Sequence, residues 1–264
     1  MKKILMGLAA TGTAIAMVPL FAAFEAHVIN VTARIENALQ VSTEHIGFGT
    51  VFPQEELDQE FGVRLSESFM TEVRVDDVQY FIRQKPKCGV VHEDGTVDPS
   101  WTGHVVVVPP PTGTQDPYTY YVDCDKDRPD TVPSHPNPEF FLLPSLCPYL
   151  SKHPIPDSPI DPPNDGSLDA FHQPFTIDQN GNIVWNDVRG YLAKSANDIL
   201  DIWNIDLKVP CFGGYCAQDW ADYVHHWGGS DVNPDDYVQP IENEHKVFGC
   251  DLWVEVSDVS ENGD

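Results

Sequence analysis

The sequence predicts an all-β protein, a jelly-roll-like β-sandwich with disulfides and a long insertion rich in proline and aspartate. Short segments in which apolar and polar residues alternate with period two recur along the chain, and most of them end at a turn signal. Beyond the first residues, a helical spacing of apolar residues is found at residues 217–224. Many short strands with turn-rich connections are typical of a sandwich.

The first 23 residues have the composition of an export signal. Two lysines precede an apolar run over residues 4–23, which ends in small residues. We expect cleavage between Ala23 and Phe24, so that one β-sandwich domain over residues 24–264 is secreted and has no membrane segment. An uncleaved membrane anchor is the alternative, because about 20 apolar residues can span a bilayer.

The segment after the expected cleavage site is predicted to be a β-strand. We call it the assembly strand, and its characteristic residues are Phe24, Ile29, Val31, Ala33 and Ile35. The last four alternate with polar or mixed residues, which gives the strand one apolar face. A strand at a new amino terminus can pair with its own sheet or with the sheet of a neighbouring copy.

Further alternations predict the remaining strands. In the amino-terminal half they lie at residues 44–53, 61–69, 78–82 and 104–108, the last as a short central strand; later ones lie at residues 188–192, 203–209 and 248–256. Residues 175–177 and 183–185 flank an Asn-Gly turn and predict a hairpin. Prolines and aspartates are dense in residues 109–174, which we interpret as an irregular insertion held by Cys124 and Cys147.

Six cysteines predict three disulfides and an oxidising compartment outside the cytoplasm. They are Cys88, Cys124, Cys147, Cys211, Cys216 and Cys250. Their spacing does not fix the pairing: Cys211 can join Cys250 across two strands, or Cys216 within a small loop. A zinc site is the alternative, but the sequence has no CxxC pair.

The charge excludes some partners. With 41 acidic and 15 basic residues, the net charge is -26, so neither nucleic acid nor an anionic membrane surface is expected to bind. Calcium is the one ion the sequence suggests, because Asp123, Asp125 and Asp127 alternate as in oxygen-ligand loops. A solvated acidic loop explains the same pattern, and no other cofactor is expected.

Catalytic motifs are missing from the sequence, which contains no HExxH, GxSxG, P-loop or GxGxxG. His225 and His226 are adjacent and point in different directions in a helix or a strand, so we interpret them as surface or structural histidines. We therefore expect no enzyme activity and no catalytic or cofactor-binding residues.

The amino-terminal third resembles the TasA/camelysin family of secreted bacterial proteins. The resemblance covers residues 1–82, and its motifs are the leader, Phe24, residues 28–30, Ala33, residues 37–39, residues 46–53 and the strand with Phe61, Val63 and Leu65. This chain has Pro53-Gln54 where the family commonly has Pro-Gly. The resemblance implies a jelly-roll subunit of an extracellular filament or biofilm matrix, which in some members assembles by donating its amino-terminal strand.

Three functions follow, in order of preference. The first is a secreted structural protein that self-associates at the cell surface by donor-strand exchange. The second is an adhesin or carbohydrate-binding module, whose binding face would include Trp101, Tyr118, Tyr120 and Tyr121. The third, a metallopeptidase of the camelysin type, is implied by the resemblance alone.

Overall fold

The chain is an all-β sandwich in a computed structural model that describes residues 35–91, 96–114, 116–125, 140–155 and 165–261. Seven strands come first: β1 (Leu39–Val41), β2 (Glu56–Leu65), β3 (Val75–Lys85), β4 (Lys87–Val91), β5 (Val97–Thr102), β6 (His104–Val108) and β7 (Thr119–Asp123). Seven more follow within these ranges: β8 (Phe140–Leu142), β9 (His153–Ile155), β10 (Phe175–Ile177), β11 (Ile183–Trp185), β12 (Val188–Ala193), β13 (Leu200–Lys208) and β14 (Asp251–Glu261). The α-helices in the same ranges are α1 (Glu67–Thr71) and α2 (Trp220–Gly228).

Two antiparallel sheets form the sandwich. Sheet 1 has the strand order β1-β2-β13-β9, and sheet 2 has the order β12-β3-β14. The longest continuous register in sheet 1 joins β13 to β2, from Leu200 opposite Arg64 to Lys208 opposite Glu56. β2 and β3 follow each other in sequence but lie in different sheets, as do β12 and β13, so most pairs join strands that are distant in the chain, as expected for a jelly-roll-like connection.

The core fills the space between the inner faces of these sheets. Alternate residues of β2, β3, β12 and β13 are buried in it, as the period-two pattern predicts: Phe61, Val63, Leu65, Val78, Tyr80, Ile82, Val188, Leu192, Trp203, Ile205 and Leu207. Burial of one large apolar side chain contributes about 1.5–3 kcal/mol. The same alternation places Asn204, Asp206 and Lys208 on the outer face of sheet 1.

One polar contact joins the two sheets inside the core. The Trp203 Nε1–H donates to the Tyr80 hydroxyl over 2.8 Å, and that hydroxyl donates to the Asp201 carboxylate. Burial and the negative charge of Asp201 raise the pKa of Tyr80, so the hydroxyl keeps its proton and remains a donor. A Cβ at Gly190 would overlap the Tyr80 ring, so β12 lies this close to Tyr80 because residue 190 has no side chain.

Smaller sheets flank the sandwich. They have the orders β5-β4-β8, β6-β7 and β10-β11. The predicted hairpin is present, with Phe175 opposite Trp185, and Gly181 supplies its positive φ of 82°. The strand at His104–Val108 is also present, but it is not central as predicted: it pairs with β7 alone among the described strands and its side chains are half-buried or exposed.

The described part of residues 109–174 is more regular than the predicted insertion. It supplies β7, β8 and β9, of which β9 is the edge strand of sheet 1. Tyr149, Leu150 and Phe171 are buried in the main core. Each short apolar segment between prolines can contribute one strand to a sheet or one residue to the core. None of these segments is long enough for its sequence pattern alone to predict a strand.

All six cysteines form disulfides, as predicted. The pairs are Cys88–Cys124, Cys147–Cys250 and Cys211–Cys216. Of the two pairings considered for Cys211, the cross-strand bond to Cys250 is wrong and the small loop is right. Two of the bonds hold the proline-rich region: Cys124 is joined to Cys88 in β4 of a flanking sheet, and Cys147 to Cys250, which directly precedes β14 of sheet 2. Such bonds persist in oxidising surroundings.

Two sequence-based strand predictions are wrong in part. Residues 44–53 form no strand; Gly49 has a φ of 72°, which interrupts an extended backbone there. The strand predicted for residues 61–69 ends at Leu65, because the Ser66 hydroxyl accepts the Phe69 N–H over 3.1 Å and begins α1.

The predicted helical segment is α2, which begins at Trp220 rather than near residue 217. Its apolar side chains Trp220 and Val224 are buried against the core. Neither α-helix in the described ranges approaches the length and apolarity that crossing a bilayer requires.

Candidate functional site

A groove of about 370 Å³ opens between the two sheets, and we call it the intersheet groove. The wall from sheet 1 consists of Val41, Phe61 and Ile205. The wall from sheet 2 consists of Leu252 and Val254 of β14. Residues 43–48 form its rim, where Ile46 and Phe48 line the opening. The groove therefore has apolar walls from both halves of the sandwich, and its lining also includes polar side chains, namely Thr43, Glu44, His45, Lys87 and Asp251.

The strand β14 borders this groove and has one free edge in the part of the chain that the structure describes. It pairs with β3 along its other edge, from Asp251 opposite Lys85 to Glu261 opposite Val75, with two irregularities in the register. Its apolar residues Trp253, Val256 and Val259 remain exposed. An edge of this kind presents unpaired N–H and C=O groups, which can hydrogen-bond an added strand.

The predicted assembly strand lies almost wholly outside the described residues. The residues outside the described ranges include Phe24, Ile29, Val31 and Ala33, together with the expected cleavage site after Ala23. Ile35 is described and is 94% exposed. The chain is then attached next to α1, where the Ser66 hydroxyl donates to the Asn37 carbonyl over 2.6 Å.

The aromatic residues suggested as a binding face are distributed over two sheets. Trp101 in β5 packs edge-on against Phe140 at 5.1 Å between ring centroids. Tyr120 and Tyr121 belong to β7, are half-exposed, and Tyr120 packs against Phe175 at 4.9 Å. Tyr118 covers Gly181 of the hairpin. None of these described contacts brings Trp101 together with the tyrosines.

The suggested calcium ligands are described only in part. The Asp123 carboxylate accepts the Asp125 N–H over 2.9 Å, and Asp127 lies outside the described residues. Within the described ranges, no group of three or more His, Cys, Asp or Glu side chains is placed to hold a metal ion. The aspartate and asparagines of the hairpin turn instead bond to one another, since Asp178 accepts from the N–H groups of Asn180 and Asn182.

A buried polar cluster that the sequence analysis missed lies around Lys152. This lysine is 0% exposed, and its Nζ has no hydrogen-bond partner in the described structure. Nearby, His172 Nε2 lies 2.6 Å from Gln84 Oε1, and Gln84 Nε2 donates to the Leu150 carbonyl over 3.3 Å. Lys152 follows Ser151 in a proline-rich segment with no regular pattern, so no local signal indicated that it would be buried.

Burial controls the protonation of this cluster. It lowers the pKa of Lys152 to about 7, against an opposing effect of the Asp187 charge. Burial and the charge of Lys152 lower the pKa of His172 to about 3, so the imidazole is neutral near pH 7. A neutral amine is a nucleophile, but one that is fully buried has no contact with a dissolved substrate. The cluster therefore bears on stability.

No protein-family model, curated protein or solved structure matches this chain. Within the described residues, the intersheet groove and the open edge of β14 adjoin each other.

Proposed function

We propose that the protein is an exported structural subunit of an extracellular filament or matrix, in which the assembly strand of one copy occupies the intersheet groove of the next. The observation that carries this proposal is the coincidence of a groove with apolar walls and a partly polar lining with the open edge of β14. A donated strand would bond its backbone to that edge and place alternate side chains in the groove.

The period of the assembly strand suits such a groove. Ile29, Val31, Ala33 and Ile35 lie on one face of an extended chain, since successive side chains point to opposite sides. The groove walls at Val41, Phe61 and Leu252 are apolar, so both partners would bury apolar surface on assembly. The disulfides fit an exported protein, because they form outside the reducing cytoplasm.

Deletion of residues 24–35 tests the proposal. The deletion keeps Asn37, which is bonded to Ser66, and should give a soluble β-rich monomer that forms no filaments by negative-stain electron microscopy. The complete exported chain, prepared in parallel, should form them. Filaments from the shortened chain would disprove strand donation.

A peptide of residues 24–35 supplies a second test. Added to the shortened chain, it should bind and protect backbone amides of β14 from hydrogen exchange, since they would acquire partners. A control peptide with aspartate in place of the four alternating apolar residues should not bind.

A matched pair of variants locates the binding site. Val254→Asp places a charge in the groove wall and should abolish peptide binding, whereas Val184→Asp, at an exposed position of β11 outside both the groove lining and β14, should not. Equal effects of the two variants would place the peptide elsewhere.

A further inference from the structure

A second cavity, of about 440 Å³, lies on the opposite side of sheet 1 from the core, and we call it the outer-face pocket. Its sheet wall is formed by Asp206 and Lys208 of β13 with Ser151 and His153, and its helix wall by the carboxyl-terminal part of α2. Asp206 and Lys208 face outward because the alternate residues Ile205 and Leu207 face the core.

A buried cation forms one wall of the pocket. Lys208 is only 5% exposed although it lies on the outer face of its sheet. Its Nζ lies 3.5 Å from Glu56 Oε2 and 3.5 Å from the centroid of the Trp227 ring. The Trp227 Nε1–H donates to the other Glu56 oxygen over 3.1 Å. These contacts compensate the desolvation of the ammonium group and fix its position.

The lining of the pocket also includes oriented acceptors. The Asp206 carboxylate accepts from the Ser151 hydroxyl over 2.9 Å and from Asn204 Nδ2 over 3.0 Å. Asp169 Oδ1 lies 3.6 Å from His153 Nε2. A carboxylate offers about four lone-pair directions, so both aspartates retain acceptor capacity toward the cavity.

The lining thus mixes groups that only donate with groups that only accept. Lys208 donates, Asp169 and Asp206 accept, and a histidine can do either. A hydroxyl group both donates and accepts, so a ligand with several hydroxyls satisfies both kinds of partner. Asp169 and Asp206 would repel a strongly anionic ligand, and Lys208 would repel a cationic one. The Trp227 ring, whose face is covered by the Lys208 ammonium, adds apolar surface to the lining.

We propose that the outer-face pocket binds a neutral sugar unit, with Asp169 and Asp206 accepting from its hydroxyls and Lys208 donating to them. This site is separate from the intersheet groove, and it is distinct from the aromatic residues that the sequence suggested as a binding face. It does not depend on filament formation: a protein that never polymerises can still bind a sugar here.

Ligand-observed NMR of the exported protein with a panel of neutral sugars tests the proposal. Glucose, galactose, mannose and N-acetylglucosamine are used as free monosaccharides and as short oligosaccharides, so that a preference for a single unit or for a chain is measured. At least one sugar should give saturable binding that D169N and D206N each weaken roughly tenfold, the effect of losing one charge-assisted hydrogen bond.

Matched controls separate binding from folding. Asp222 is an exposed acid of α2 outside the pocket lining, so D222N should bind as the unchanged protein does. Asp169 is itself exposed, so D169N should leave the thermal unfolding temperature unchanged. If D206N unfolds, the sugar affinity of D169N alone tests the proposal. Saturable binding to none of the sugars would overturn the proposal, and so would binding that D169N leaves unaltered.

Discussion

At the level of single residues, the core depends on a contact between a glycine and a tyrosine. Gly190 of β12 lies against the Tyr80 ring, whose hydroxyl is fixed between Trp203 and Asp201. Tyr80 cannot move aside without breaking hydrogen bonds that no water can replace in the core. A side chain at residue 190 therefore has no low-energy way to be accommodated.

Gly190→Ala should lower the free energy of unfolding by about 3 kcal/mol, at the upper end of what overpacking costs. Denaturant unfolding followed by tryptophan fluorescence measures the change. Gly213→Ala is the control, because a Cβ there would meet only the Gln239 carbonyl at 3.8 Å, an ordinary contact. Equal stability of the two variants would show that Tyr80 is not confined as the structure describes.

Lys152 makes stability depend on pH in a defined window. Its pKa falls from 10.5 in the unfolded chain to about 7 in the folded one, so between these values the unfolded state binds more protons. Stability should therefore rise with pH from about 7 to 10.5, by about 1.4 kcal/mol per pH unit from this group.

Lys152→Met should stabilise the protein near pH 7 and remove that contribution. The measurement is the difference in unfolding free energy between the variant and the unchanged protein across this pH range. Lys246→Met, at an exposed lysine that bonds to Asn243, should give a difference independent of pH. A flat difference for Lys152→Met as well would contradict the burial of its amine.

At the level of elements, the disulfides differ in how much chain they close. Cys147–Cys250 closes a loop with a sequence separation of 103 residues and anchors β14, whereas Cys211–Cys216 closes one of 5 residues. A bond that closes a longer loop removes more conformational freedom from the unfolded chain.

Replacing Cys147 and Cys250 together by serine should cost about 5 kcal/mol, against about 2 kcal/mol for the same change at Cys211 and Cys216. Chemical denaturation of the two double variants gives the comparison. A larger loss from the small loop would mean that native contacts, rather than freedom of the unfolded chain, dominate.

Strands with a regular alternation of apolar and polar residues could be predicted from the sequence. Whether an alternating segment pairs with a sheet or forms a loop on the core could not. β12 and β13 alternate between a buried and a half-exposed face, and their strands lie where expected. Residues 44–53 alternate in the same way but form a loop whose Ile46 and Phe48 pack on the core. An alternating pattern indicates which side chains are buried, but it does not show that the segment is a strand. A loop that packs against a core can have the same pattern.

The start of α1 has a signal in the sequence. Ser66 followed by Glu67 is a helix start, since serine caps the first turn and an acid there interacts favourably with the helix dipole. The alternation of apolar and polar residues continues to Phe69, so it favoured a strand across this helix start.

At the level of the whole molecule, neither candidate site could be predicted from local sequence. The intersheet groove takes its walls from residues as distant in the chain as Val41 and Val254, and the outer-face pocket combines Ser151 with Trp227. Only the pairing of strands far apart in sequence brings such residues together. The alternation at residues 203–209 and the helical segment were predicted, but the packing of that helix over Asp206 and Lys208 was not.

The net charge of -26 should make assembly sensitive to salt. Copies with so large a negative charge repel one another, and at about 0.15 M salt the repulsion is screened beyond about 8 Å. Filament growth followed by light scattering should therefore accelerate when sodium chloride is added at pH 7. Growth that slows with salt would indicate that assembly depends on attraction between opposite charges instead.

The bond between Cys147 and Cys250 has a mechanical consequence for a fibre built on β14. Tension along such a fibre would act on each subunit through β14, the strand to which the neighbour's donated strand is hydrogen-bonded. Cys250, directly before β14, is covalently joined to the segment that contains the buried Tyr149. Tensile load would then pass into the interior through a covalent bond, and reducing agents should weaken the fibre before they unfold its subunits.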